Sequence, residues 1–74
     1  MCHNIQQLRR PDTPTSQAEI EAAALQFVRK VSGYRKPSRA NQAAFERAVT
    51  DVAGATRALL FELGVNLESL EVNP

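Results

Sequence analysis

Basic side chains are concentrated in one short stretch, residues 29–41, which we call the basic connector. Five cations and one tyrosine occur there: Arg29, Lys30, Tyr34, Arg35, Lys36 and Arg39. No acidic side chain lies between Glu21 and Glu46. Cations beside an aromatic ring suit nucleic acid or a small phosphate-bearing ligand. The alternative is a solvated cap around a turn, because Lys and Arg are common near the C-terminal ends of helices.

A second group of potentially reactive side chains is the adjacent pair Cys2 and His3. After removal of Met1, Cys2 would offer an amine and a thiol on one residue, with an imidazole beside them. Such a set suits copper, nickel or zinc, or a nucleophile. However, the sequence shows no third group that would orient a base. The competing interpretation is that Cys2 is a small buried residue that packs an N-terminal arm.

Sequence motifs for catalysis are absent. The chain has no glycine-rich phosphate loop, no paired carboxylates with a base at helical spacing and no serine-centred triad. It also has no Cys and His set with zinc-site spacing. We therefore predict a non-enzymatic protein without a cofactor.

The net charge of +1 conceals an asymmetry. Residues 1–39 contain seven Arg or Lys and three acids, which gives a net charge of +4. Residues 40–74 contain two Arg and five acids, which gives a net charge of −3. Such a distribution suits either an anionic ligand or head-to-tail contact between two copies of the chain.

Two amphipathic helices are predicted to position these groups. The first spans about 16–32: Ser16 and Glu19 form a capping-box pattern, and Gly33 supplies the left-handed residue that ends the helix. The second spans about 38–63, after Pro37 and an N-cap at Ser38, and ends at Gly64. Gly54 interrupts it, which we interpret as a close approach to a neighbouring helix, with a kink as the next explanation.

The resulting fold class is all-α, an antiparallel helical hairpin. We divide the chain into an extended N-terminal arm (1–14), the hairpin (15–64) and a C-terminal tail (65–74), for which a helical turn and an extended segment are equally compatible with the pattern. A single core in so short a chain contributes only a few kcal/mol of stability. We therefore expect dimerisation, for example as a four-helix bundle, to complete the fold.

Apolar residues recur at intervals of three and four along both helices, as the buried stripe of an amphipathic helix requires. We predict the following positions as core or dimer interface: Ile20, Phe27, Val31, Phe45, Val49, Val52, Leu59 and Leu63. Phe61 falls off this stripe and is predicted to contact the tail, a second subunit or a partner. No window approaches the roughly 18 apolar residues of a membrane span and no secretory signal is evident, so we expect a cytoplasmic protein without membrane contact.

Three segments carry a family resemblance: MCHNI at residues 1–5, AAALQFVRKVSG at 22–33 and KPSRANQAAFERAV at 36–49. They resemble a family of small bacterial proteins catalogued as domain of unknown function 2277, over nearly the whole chain up to Leu63. The resemblance implies no activity, since the family is named for having none assigned. Its members begin Met-Cys-Arg, so His3 departs from the pattern, and the last ten residues also look unlike the family's tails.

Overall fold

Two helices pack side by side in the computed structural model, which describes residues 5–68. They are α1 (Gln17–Ser32) and α2 (Gln42–Glu62), with a short 3₁₀ turn at Arg39–Asn41 before α2. Within residues 5–68 there is no strand beyond one isolated bridge. Arg57, late in α2, donates to the Gln17 side chain at the start of α1 (2.8 Å). The helices are therefore antiparallel, and the predicted all-α hairpin is confirmed.

The boundaries of α1 follow from its capping residues. The Ser16 hydroxyl accepts from the Glu19 amide (3.1 Å), and the Glu19 carboxylate accepts from the Ser16 amide (2.9 Å), which completes the predicted capping box. At the other end Gly33 adopts φ 79°, and its amide donates to the Arg29 carbonyl (2.8 Å). A left-handed residue at this position favours glycine, because a Cβ would crowd the backbone.

The second helix begins later than its sequence predicted. Ser38 precedes the 3₁₀ turn, and the α-helix starts only at Gln42, since Asn41 has φ −105° and ψ 3°. Neither Ser38 nor Asn41 caps its helix with a side-chain hydrogen bond. Asn41 instead donates to the Tyr34 hydroxyl and to the Ser38 hydroxyl, both at 3.1 Å. At the far end Gly64 (φ 80°) ends the chain's second helix as predicted.

The core lies between the two helices at the end nearest the termini. Ile20, Ala24 and Val28 are buried at four-residue spacing on α1, and Ala53 and Leu60 are buried on α2. Leu8 from the N-terminal arm covers the cluster. Of the predicted core or interface positions, Ile20 is wholly buried and Val49 and Val52 pack against the core. Phe45 is half-buried.

The arm and the tail pair with each other beside α1. The Thr15 amide donates to the Asn66 carbonyl and the Glu68 amide donates to the Thr15 carbonyl, both at 2.9 Å. These bonds form a parallel bridge between Thr15 and Leu67. The segment from Asn66 to Glu68 is thus extended rather than helical, because the buried backbone of Thr15 supplies its hydrogen-bond partners.

Gly54 lies on an exposed part of α2, and a Cβ built there would meet nothing within 4 Å. The close helix approach predicted at this position is therefore wrong. Glycine inside a helix costs up to about 1 kcal/mol relative to alanine, because its unfolded backbone has more freedom. We expect Gly54→Ala to raise the free energy of unfolding by about 0.5–1 kcal/mol in urea titrations.

Gly33→Ala is the matched control for that change. It also adds one methyl group into open space, but at φ 79°. We expect it to destabilise the protein by about 1–2 kcal/mol, the cost of a left-handed conformation for a residue with a Cβ. Equal effects of the two changes would contradict the backbone explanation.

The hairpin is a thin plate. The principal extents of its Cα trace are 39, 39 and 16 Å, and the radius of gyration is 13.4 Å. A compact domain of this length has a radius of gyration of about 11 Å. Domains normally bury their apolar surfaces between at least two layers of secondary structure. One layer of two helices leaves a broad face of each helix without such cover.

Candidate interaction surface

Hydrogen bonds connect several residues of the basic connector. Arg29 donates through Nε to the Arg35 carbonyl (3.2 Å), and the Tyr34 amide donates to the Ser32 hydroxyl (3.1 Å). The bonds from Asn41 described above tie Tyr34 to the start of α2. The structure therefore brings both ends of the connector together around the tyrosine.

The cations of the connector are directed toward solvent rather than toward acids. Lys30, Arg35, Lys36 and Arg39 are exposed, and Arg29 is half-buried. Within residues 5–68 the one ion pair is Arg10 with Glu19, so none of these five cations has a carboxylate within 4.0 Å. All six predicted anion-site residues, Tyr34 included, thus lie on one turn of the hairpin. Their binding role stays a prediction.

Apolar side chains are exposed along one side of the hairpin. Phe27 and Val31, four residues apart on α1, are 45% and 69% exposed, and Leu59 and Leu63 on α2 are 57% and 54% exposed. Val52 is half-buried and lies seven residues before Leu59, about two helical turns away on the same side of α2. We call this set the apolar face: Phe27, Val31, Val52, Leu59 and Leu63.

A groove joins the two rows of the apolar face. Phe27 and Val52 line it together with Ile5 of the arm and Leu60 of the core, and its volume is about 250 Å³. Phe27 of one row and Val52 of the other therefore border the same groove. Phe27, Val31, Leu59 and Leu63 are not core residues of a single chain, and they stay predicted interface residues.

Phe61 is the most exposed of the large apolar side chains in residues 5–68, at 73%. It follows Val52 by nine residues, which places it about 180° around α2 from the apolar face. This position agrees with the sequence pattern, in which Phe61 falls off the apolar stripe.

The N-terminal arm is held by an ion pair that sequence reasoning missed. Arg10 makes two hydrogen bonds to the Glu19 carboxylate, at 2.8 and 3.0 Å, and the Thr15 hydroxyl donates to the Leu8 carbonyl. Glu19 was identified only as a capping residue, and Thr15, which is wholly buried, was not identified at all. Arg10 and Glu19 are nine positions apart, and Leu8 and Thr15 are seven apart. Neither pair lies within one helix, so no helical period in the sequence indicates these contacts, and only the three-dimensional structure reveals them.

The ion pair between Glu19 and Arg10 makes the stability of the fold depend on pH. The hydrogen bond from Arg10, followed by that from the Ser16 amide, lowers the pKa of Glu19 to about 2 from its usual 4.5. A carboxylate with a depressed pKa stabilises the fold above its unfolded pKa and loses that contribution as the pH falls through its folded pKa. About a third of the side chain is exposed, so solvent screens the pair.

We therefore expect the urea midpoint of the wild type to fall between about pH 4.5 and pH 2 as Glu19 takes up a proton. Glu19→Gln should flatten this part of the profile. Glu21→Gln removes an exposed carboxylate that has no cation of residues 5–68 within 4.0 Å and serves as the matched control. Identical acid profiles for the two variants would contradict the assignment to Glu19.

The remaining predicted site residues, Cys2 and His3, lie outside the described residues. Within residues 5–68 no group of three His, Cys, Asp or Glu side chains could hold a metal ion. In the same part of the chain neither helix has the length and apolar character needed to cross a membrane.

Comparison with known proteins places the sequence in one family. A family model described as an uncharacterized conserved protein, DUF2277, matches residues 1–73. The match includes the tail, which the sequence analysis had set apart from the family pattern. No curated protein and no solved structure matches the chain.

Proposed function

The chain belongs to the family of uncharacterized conserved proteins DUF2277, and because that description assigns no activity, we propose a function from the molecular surface. The protein is a non-enzymatic helical interaction module that self-associates as a homodimer. The observation that carries this proposal is the exposure of four large side chains on the apolar face of a one-layer fold.

The small core supports the proposal. Only six apolar residues are buried in residues 5–68, and two of them are alanines: Leu8, Ile20, Ala24, Val28, Ala53 and Leu60. Burial of apolar surface contributes about 25 cal/mol per Å². Burying the exposed Phe, Leu and Val side chains in an interface would therefore stabilise the assembly. A second copy offers a matching surface, since a two-fold interface uses the same patch on both subunits. Two hairpins joined in this way form a four-helix bundle.

The experiment is a comparison of charged variants by multi-angle light scattering. Phe27→Asp places a carboxylate in the centre of the apolar face and should convert the dimer to a monomer, because an unpaired buried charge is costly. Phe61→Asp is the matched control. It alters a more exposed phenylalanine on the other side of the hairpin and should leave the mass unchanged. The reverse result would place the interface around Phe61, and circular dichroism verifies that both variants fold.

A second candidate function is anion binding by the basic connector, for nucleic acid or a phosphate-bearing ligand. The specific observation is that none of its five cations has a carboxylate partner among residues 5–68. Arg35→Glu with Lys36→Glu should weaken binding of a single-stranded oligonucleotide and reduce its salt dependence. Arg9→Glu with Arg47→Glu makes the same charge change outside the connector and is the control. Equal binding by both double variants would contradict this function.

A further inference from the structure

A second, larger groove lies between the helices near the turn, and no residue of the apolar face lines it. Its volume is about 630 Å³, within the roughly 300–1,000 Å³ of small-molecule sites in proteins. Leu25 lines it from α1, and Phe45 and Val49 line it from α2. Leu25 precedes Phe27 by two residues, or about 200° around α1, so the groove and the apolar face use different sides of α1.

The groove contains one cation and one carboxylate, and only the carboxylate has a hydrogen-bond partner within the groove. Lys36 lines the groove, and no carboxylate of the described residues lies within 4.0 Å of its ammonium group. Glu46 lines it as well, but its carboxylate accepts a hydrogen bond from Gln42 (3.0 Å). Thr50 contributes a hydroxyl group. The groove therefore combines an apolar surface with one cation that is not paired with any acid in the described part of the chain.

We propose that this groove binds a small organic carboxylate with an aromatic or branched aliphatic body. The carboxylate pairs with the Lys36 ammonium group, and the apolar body packs on Leu25, Phe45 and Val49. A single negative charge fits better than a dianionic phosphate, because the Glu46 carboxylate in the same groove repels additional negative charge. An oxygen acceptor on the ligand also suits the Thr50 hydroxyl as a donor.

Three probes separate the contributions of charge and apolar body. 3-Phenylpropionate carries both, 3-phenylpropanol lacks the charge, and acetate lacks the body. In titrations followed by two-dimensional NMR of the labelled protein, only 3-phenylpropionate should give saturable shifts at the amides of Leu25, Lys36 and Val49. Absence of saturable shifts up to millimolar concentration, or equal binding of 3-phenylpropanol, would overturn the proposal.

Two variants test the residues. Lys36 is exposed, so Lys36→Gln should weaken binding by about two- to fivefold, as expected for an exposed ion pair. Lys30→Gln removes the other lysine of the connector, which does not line the groove, and should leave the affinity unchanged. Thr50→Trp should block binding, since it fills the groove from an exposed position. Unchanged affinity in Lys36→Gln or Thr50→Trp would contradict the assignment.

The inference is independent of self-association. The same titration on Phe27→Asp should give the wild-type affinity, because Phe27 does not line this groove. Loss of ligand binding in Phe27→Asp alone would show that the groove depends on the dimer. Failure of binding in every form would overturn the ligand proposal and leave the homodimer untouched.

Discussion

Ile20→Ala is expected to lower the free energy of unfolding by about 2–5 kcal/mol, enough to unfold much of the protein at 25 °C. Ile20 is the largest wholly buried side chain in residues 5–68. It belongs to the cluster that joins Leu8 of the arm, Ala24 of α1 and Ala53 and Leu60 of α2. Truncation leaves a cavity that these small neighbours cannot fill, so the lost contacts are not recovered.

Urea titration followed by circular dichroism measures this effect. Ile20→Val removes one methylene and should cost only about 0.5–1.5 kcal/mol, which keeps the series measurable if the alanine variant does not fold. Phe61→Ala truncates a larger but 73% exposed side chain and should change stability by no more than about 0.5 kcal/mol. A smaller loss for Ile20→Ala than for Phe61→Ala would contradict the position of the core.

Thr15→Val is expected to destabilise the protein by about 1–3 kcal/mol through the loss of a buried hydrogen bond, with little change in side-chain shape. Thr15 is wholly buried, and its hydroxyl donates to the Leu8 carbonyl. Valine has nearly the same shape but no donor, so the buried carbonyl of Leu8 loses its partner. The same residue pairs through its backbone with Asn66 and Glu68, so a shift of Thr15 would also loosen the tail.

Thr15→Ser is the complementary variant, since it keeps the hydroxyl and removes the methyl group. It should be less destabilising than Thr15→Val if the hydrogen bond dominates. Thermal unfolding separates the two, because about 1 kcal/mol shifts the midpoint by roughly 4–8 °C in a domain of this size. A lower midpoint for serine than for valine would show that packing of the methyl group matters more.

The parts of the fold that could be predicted depend on local chemistry. The capping box at Ser16 and Glu19 and the left-handed Gly33 are set by neighbouring residues, and the structure confirms both. Helical periodicity also placed Ile20 on the buried side of α1. The start of α2 was predicted too early because Asn41 bonds to Tyr34 and Ser38 instead of capping the helix.

The parts that could not be predicted depend on contacts between distant segments. The pairing of Thr15 with Asn66 and Glu68 fixes the tail, and nothing near residue 66 signals it. Gly54 was assigned to a helix contact, although the structure leaves its surroundings open. Periodicity likewise cannot tell Ile20 from Phe27, because a stripe of apolar residues has the same spacing in a core and in an interface.

The two candidate functions use different parts of the molecule. The connector is positively charged and lies at the turn, whereas the apolar face runs along the helices. Charge changes at Arg35 and Lys36 should therefore alter anion binding without altering the mass of the assembly. Phe27→Asp should do the opposite.

Sedimentation equilibrium of the untagged wild-type protein, from about 1 to 100 μM, tests self-association most directly. One chain has a mass of 8.2 kDa. We predict a weight-average mass that rises with concentration to twice this value and stops there, as a closed two-fold dimer requires. A mass of 8.2 kDa at every concentration would contradict the proposal that the apolar face is a homodimer interface.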